Sequence, residues 1–250
     1  MPTGGEVRSI ADAFWHRVGH TQPFPRDLEG AFMLALPVTV YKISDLNVTR
    51  IERWFRQQGI AYQLPCQNRR LRGCLVAYRG YGFIFADSDD PVAEIRLTLA
   101  HEAAHFFVDY LRPRETALTR LGVTIQGVLD GERPPTRTEQ VHAVLANVPL
   151  DVYYYLMERE NHGQIGLSTI WNAENRADAV ALELLAPLEA VLQHALLDQP
   201  RYEQRRQELV TVLARTFGLP GDMAEFYAPL LLRRCNKGPS FWEGLGLPAR

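Results

Sequence analysis

"LTLAHEAAHFFVDYL", residues 97–111, holds two histidines four positions apart, His101 and His105, with Glu102 directly after the first. Leu97, Leu99, Ala100, Ala103, Ala104 and Phe107 surround them, which predicts a helix that is largely buried. Side chains at i and i+4 of a helix leave from one face about one turn apart. Both imidazoles can therefore reach a single Zn²⁺ at roughly 2.0–2.1 Å, with Glu102 beside it. A carboxylate in that position can take a proton from water activated by the metal and deliver it later to a leaving amine. The plainer reading is two stray histidines on an amphipathic helix. Against it, three polar groups in an apolar helix need partners, and a metal supplies them.

A catalytic zinc keeps three protein ligands and one open position, so a further ligand is expected downstream. The stretch "AENRADAVALELLAP", residues 173–187, offers Glu174 and Asp178, four apart on one face of the strongest helical segment of the chain. Glu174 is the expected third ligand. Asp178 is expected to accept a hydrogen bond from a ligand imidazole and fix its tautomer. Read alone, the pair would be a helix-start carboxylate and a solvated one.

Around these helices the chain reads as α+β. Helices are expected over 6–19 and 27–35, then a strand at 38–41. Asp45 or Asn47 caps a helix whose buried face is Val48, Ile51, Trp54 and Phe55 and which Gly59 ends. "GCLVAYRGYGFIFADSDD", residues 73–90, predicts a hairpin of Cys74 to Tyr78 and Gly82 to Ala86 joined through Arg79-Gly80-Tyr81. Further helices are expected at 116–129, 138–147, 172–197 with a break at Pro187, and in the tail after Arg201. Val152 to Arg159 reads as a strand.

Composition narrows the function. The 250 residues are 46% hydrophobic and 22% charged, and 27 Lys and Arg against 29 Asp and Glu leave a formal charge of −2. Nothing in that balance attracts nucleic acid, and a protein or small-molecule partner fits better. The tail resembles a helix-turn-helix only loosely, and acids offset its basic residues Arg205, Arg206, Arg215, Arg233 and Arg234, which disfavours DNA binding. Three cysteines without a CxxC pair suggest neither a disulfide framework nor a thiolate zinc site. No apolar run approaches a membrane span and no leader is visible at the start, so a cytoplasmic protein is expected.

"IRLTLAHEAAHFFVDY" followed by "ENRADAVALELLAP" resembles the ImmA/IrrE family of bacterial and phage metallopeptidases. The family's later helix reads E-x-x-A-(N/D)-x-F-A-x-x-L-L-x-P. Glu174, Ala177, Asp178, Ala181, Leu184, Leu185 and Pro187 fall on that pattern, with Val180 in place of Phe. The resemblance spans about residues 30 to 190. It implies a zincin-like metalloprotease core with a small antiparallel sheet and active-site helices, followed by a helical C-terminal tail. It implies zinc on His101, His105 and Glu174, and Glu102 as general base and acid. It also implies narrow proteolysis of a DNA-binding repressor, often encoded nearby, in mobile-element or stress-response regulation. The strand Gly82, Phe83, Ile84, Phe85, Ala86 would be the edge on which an extended substrate adds.

The expected organisation is an N-terminal helical region over 1–60, the core over 61–198 and the tail over 199–250. From His105 to Glu174 the chain runs 69 residues, longer than the family's spacing, so an insertion lies at about 112–170. If it reroutes the chain, Glu158, Glu160 or His162 would replace Glu174. Tyr153, Tyr154, Tyr155, His142 and His162 are the candidate oxyanion donors. The competing class is a non-catalytic regulator of the same fold that binds a protein partner or DNA, for which an intact Glu102 serves no purpose.

Overall fold

The computed structural model describes residues 4–19, 22–60, 63–64, 66–145, 154–158 and 168–244. Helix α1 (Gly4–Val18) turns its Val7, Ile10, Phe14 and Val18 inward. In α2 (Leu28–Ala35), Asp27 caps the first turn by accepting from the Gly30 N–H. Strand β1 (Val38–Ile43) follows, and α3 (Val48–Gln57) begins at Asn47, whose side chain accepts from the Arg50 N–H. Asn47 therefore caps α3 and Asp45 does not.

The hairpin forms as β2 (Leu71–Tyr78) and β3 (Tyr81–Asp87) in antiparallel register, with Tyr78 opposite Tyr81 and Gly73 opposite Ala86. Its turn has two residues, not three. Arg79 and Gly80 both take positive φ, 51° and 87°, the conformation a two-residue turn needs to match strand twist. The Gly80 N–H donates to the Tyr110 hydroxyl at 2.7 Å, which ties the turn to the helix carrying the histidines.

That helix, α4 (Val92–His105), runs without interruption into a π-helical turn over Phe106–Leu111 and then α5 (Arg112–Leu121). Pro113 lies in the first turn of α5, and the wide turn before it absorbs the hydrogen bond a proline cannot make. Gly122, at φ 82°, ends α5, so the single helix expected over 116–129 is instead α5, a short 3₁₀ turn at Val123–Ile125, and α6 (Gln126–Leu129). Next come α7 (Arg137–Leu145) and β4 (Tyr154–Glu158). Helix α8 (Ser168–Leu185) then leads to α9 (Leu188–His194), α10 (Tyr202–Arg215), α11 (Gly221–Arg234) and α12 (Phe241–Gly244).

The fold is α+β, and the sheet corrects two expectations. It has four strands in the order β1-β3-β2-β4, and β1 runs parallel to β3. The sheet is thus mixed rather than antiparallel. Val38 pairs with Gly82 and Ile43 with Asp87, so β3 has a neighbour on each side and offers no free edge to a substrate. The hairpin alone could not reveal this, because the strand that covers β3 comes from more than thirty residues upstream.

Both faces of the sheet are covered. Leu75, Ala77, Ile84 and Ala86 join a large core with α1, α2, α4, α8, α10 and α11. Cys74, Val76 and Phe85 face a second core under α3, with Leu46, Ile51 and Phe55. Strict alternation would put Leu71 on the α4 side with Gly73, yet it belongs to the second core. A β-bulge between Leu71 and Gly73 in the pairing with β4 accounts for the switch. Burial of both faces also explains the nearly continuous apolar sequence of the hairpin strands.

The tail is built into the large core. Leu209, Val212 and Leu213 of α10 and Ala224, Ala228, Leu231 and Leu232 of α11 are buried there. Arg234 also donates to the buried Glu183 carboxylate of α8 at 3.2 Å. Among the described residues no helix is long and apolar enough to cross a membrane.

Candidate metal centre

Helix α4 lies against β2 because Gly73 has no side chain. A Cβ there would come within 2.9 Å of Glu102 Oε1 and collide with the Thr98 methyl. Gly82 does the same further along, where a Cβ would sit 2.8 Å from Phe106 and from Val38. The helix therefore seats its His101, Glu102 and His105 between the sheet and α8, and all three are buried.

His101 Nε2 and His105 Nε2 are 3.1 Å apart. Glu174, brought in by α8, places Oε2 3.3 Å from His101 Nε2 and Oε1 3.5 Å from His105 Nε2. Two ligands at ~2.0–2.1 Å from a tetrahedral ion stand about 3.3 Å apart. The three separations match that edge, and the three residues can hold a metal ion.

The far sides of the imidazoles agree. His101 Nδ1 is 2.8 Å from Asp178 Oδ1, and His105 Nδ1 is 2.8 Å from Asp109 Oδ2. An ionised carboxylate only accepts, so each Nδ1 carries a proton, and when the imidazole is neutral each Nε2 presents its lone pair toward Glu174. Three electron-pair donors converge, an arrangement that only protons or a metal cation stabilise. Without a metal, the surroundings favour protons. Burial opposes charge on His101, but hydrogen bonds to Asp178 and Glu174 outweigh it and raise its pKa to about 10. His105 is raised in the same sense by Asp109 and Glu174, against its burial. For Glu174 burial works upward, yet the two histidines hold its carboxyl down at about 2.

Glu102 is different. It is fully buried, and neither carboxylate oxygen has a hydrogen-bond partner among the described residues. Burial lifts its pKa to about 7, with His101 and His105 pulling the other way. In the metal-free protein a buried carboxylate whose pKa is raised in this way beside two imidazoles can both take and give a proton.

The structure thus brings together His101, Glu102, His105, Glu174 and Asp178. It does not bring β3 to an edge. Glu158 lies in β4, where its backbone pairs with Leu71, while Glu160, His162 and Tyr153 fall outside the described residues. Tyr154 and Tyr155 belong to β4, and His142 is exposed on α7.

Three contributors were missed from the sequence. Asp109 stands four residues after His105, the same spacing that drew attention to Asp178, and could have been found that way. Arg176, which donates to Asp109 Oδ1, and Gly73 carry no local signal. Searches against protein-family models, curated proteins and solved structures found no match to this chain.

Proposed function

We propose that the protein is a zinc-dependent endopeptidase of the ImmA/IrrE type that cleaves one specific protein, a DNA-binding transcriptional repressor. The observation that carries this reading is the converging trio of His101, His105 and Glu174 with the Glu102 carboxylate beside it, which has no hydrogen-bond partner among the described residues. Two imidazoles and one carboxylate are a donor set suited to zinc, and three protein ligands leave one coordination position for chemistry. When bound, zinc supplies Lewis-acid chemistry, polarising a carbonyl and acidifying water.

The remaining work falls to the chain. Glu102, buried beside the ligands, takes the proton of the attacking water and passes it to the departing amine. Asp178 and Asp109 hold the two rings in the tautomer that presents Nε2. A protease needs its substrate extended, and the edges of the described sheet are β1 and β4. β4 pairs with β2 through Gly73, the residue against which Glu102 rests. An extended substrate adding to β4 would lie next but one to the strand that carries Gly73. The repressor substrate rests on the likeness of the two helical motifs to the family's pattern, and its source would be a small helix-turn-helix protein encoded beside this one.

Elemental analysis tests the metal, and Glu102→Gln tests the chemistry. About one zinc per chain is expected, lost or strongly weakened in His105→Ala and Glu174→Ala. Glu102→Gln should keep zinc while cleavage of the neighbouring repressor is abolished. Absence of zinc after loading would overturn the reading, and so would a Glu102→Gln variant that still cleaves.

A further inference from the structure

We infer that Arg176 is a positioning residue for the metal centre, acting on His105 through Asp109; the inference rests on the metal reading above. The two imidazoles are supported unequally. His101 leans on Asp178, whose side chain is 51% exposed, so solvent can stand in for it. His105 is fully buried, and so nearly is Asp109, with 6% of its side chain exposed. One Asp109 oxygen faces His105 Nδ1 at 2.8 Å, and the other receives the Arg176 guanidinium.

A buried carboxylate needs a partner for each oxygen, because no water replaces one that is lost. Arg176 fills the second place, and with it the carboxylate cannot rotate away from the ring. The π-helical turn contributes by carrying Asp109 on the segment directly after His105, within reach of α8. Within five residues, α8 therefore reaches all three ligands: Glu174 directly, His101 through Asp178, and His105 through Arg176 and Asp109. Removal of an outer partner of a ligating histidine typically weakens metal binding about 10–100-fold.

The test is zinc affinity by chelator competition on the full chain, for wild type, Asp109→Asn, Arg176→Met, the double variant and Arg176→Lys. The visible spectrum of each cobalt-loaded protein reports ligand geometry. Each single replacement should weaken zinc about 10–100-fold and alter the cobalt spectrum. The double variant should be no weaker than Asp109→Asn, because Arg176 acts only through that carboxylate. Arg176→Lys, which keeps a cation, should recover part of the loss and also serves if Arg176→Met does not fold. Wild-type affinity in Arg176→Met, or losses that simply add in the double variant, would overturn the inference and leave the metal centre standing. A wild-type protein that binds no zinc would overturn the metal reading, and this inference with it.

Discussion

At residue scale the site depends on what Glu102 and His101 are allowed to do. Glu102 keeps its place because position 73 lacks a side chain. Gly73→Ala should push Thr98 and Glu102 back from β2, costing about 1–3 kcal/mol for an overpacked contact. On the proposed function, cleavage should fall much further than zinc content, since the nearest neighbours of a Cβ at Gly73 belong to Thr98 and Glu102, not to the ligands. Parallel loss of both in a folded variant would show that the glycine serves general packing. His101 gives a proton-linked prediction. Its folded pKa is raised to about 10 from an ordinary 6.5, so the metal-free cluster contributes stability below about pH 6.5 that is lost as pH rises through about 10. A metal ion held by His101 would displace that proton, so on the proposed function zinc affinity should rise with pH across the same window. Calorimetry in two buffers of different ionisation enthalpy should show net proton release near pH 8. Binding without release would mean that His101 is not a ligand.

At element scale, α8 closes the site. It brings Glu174 to the two histidines from 69 residues further along, and in the protein without metal it is held there by hydrogen bonds and ion pairs at its Glu174–Asp178 end. Zinc should bind the docked helix and add to its protection, because a ligand stabilises the state it binds. Amides of residues 174–185 are expected to exchange more slowly with zinc than after chelation, while those of α3, on the other side of the sheet, should not change. Equal exchange in α8 under both conditions would argue that Glu174 is not a ligand. The sheet edge carries a second expectation. On the proposed function, Leu156→Pro in β4 should impair cleavage more than zinc binding, since it removes a backbone donor from an edge strand but no ligand.

At the scale of the whole molecule, the C-terminal helices belong to the core that holds the site. Phe217, Leu213, Leu231 and Leu232 are buried in the cluster that also contains Ala177, Val180 and Ala181 of α8. Truncation after residue 198 would remove these side chains, the burial of each being worth about 1.5–3 kcal/mol, from the core they share with α8. A chain ending there should fail to fold stably. The milder Phe217→Ala should cost about 3–5 kcal/mol in urea denaturation while the folded fraction still binds zinc. A stable, zinc-binding 1–198 fragment would show the tail to be an independent appendage.

Much of the fold was legible in the sequence because the signals were local. Helix caps such as Asn47, the positive-φ glycine of the hairpin turn, and apolar positions repeating along a helix all act within one or two turns of the chain. The same holds for His101 with His105 and for Glu174 with Asp178, since four-residue spacing on a helix fixes a shared face whatever lies beyond. By itself the sequence determined an α+β chain with two helices bearing the right groups. Only the tertiary structure decided what those groups meet. It placed β1 beside β3, which leaves β1 and β4 as the edges of the described sheet, and it brought Glu174, 69 residues after His105, to within 3.5 Å of both histidines. It also joined Arg176 to Asp109 and set Glu102 against a glycine of another strand. These contacts link residues far apart in the chain, where the outcome depends on long-range strand order and packing rather than on any local period.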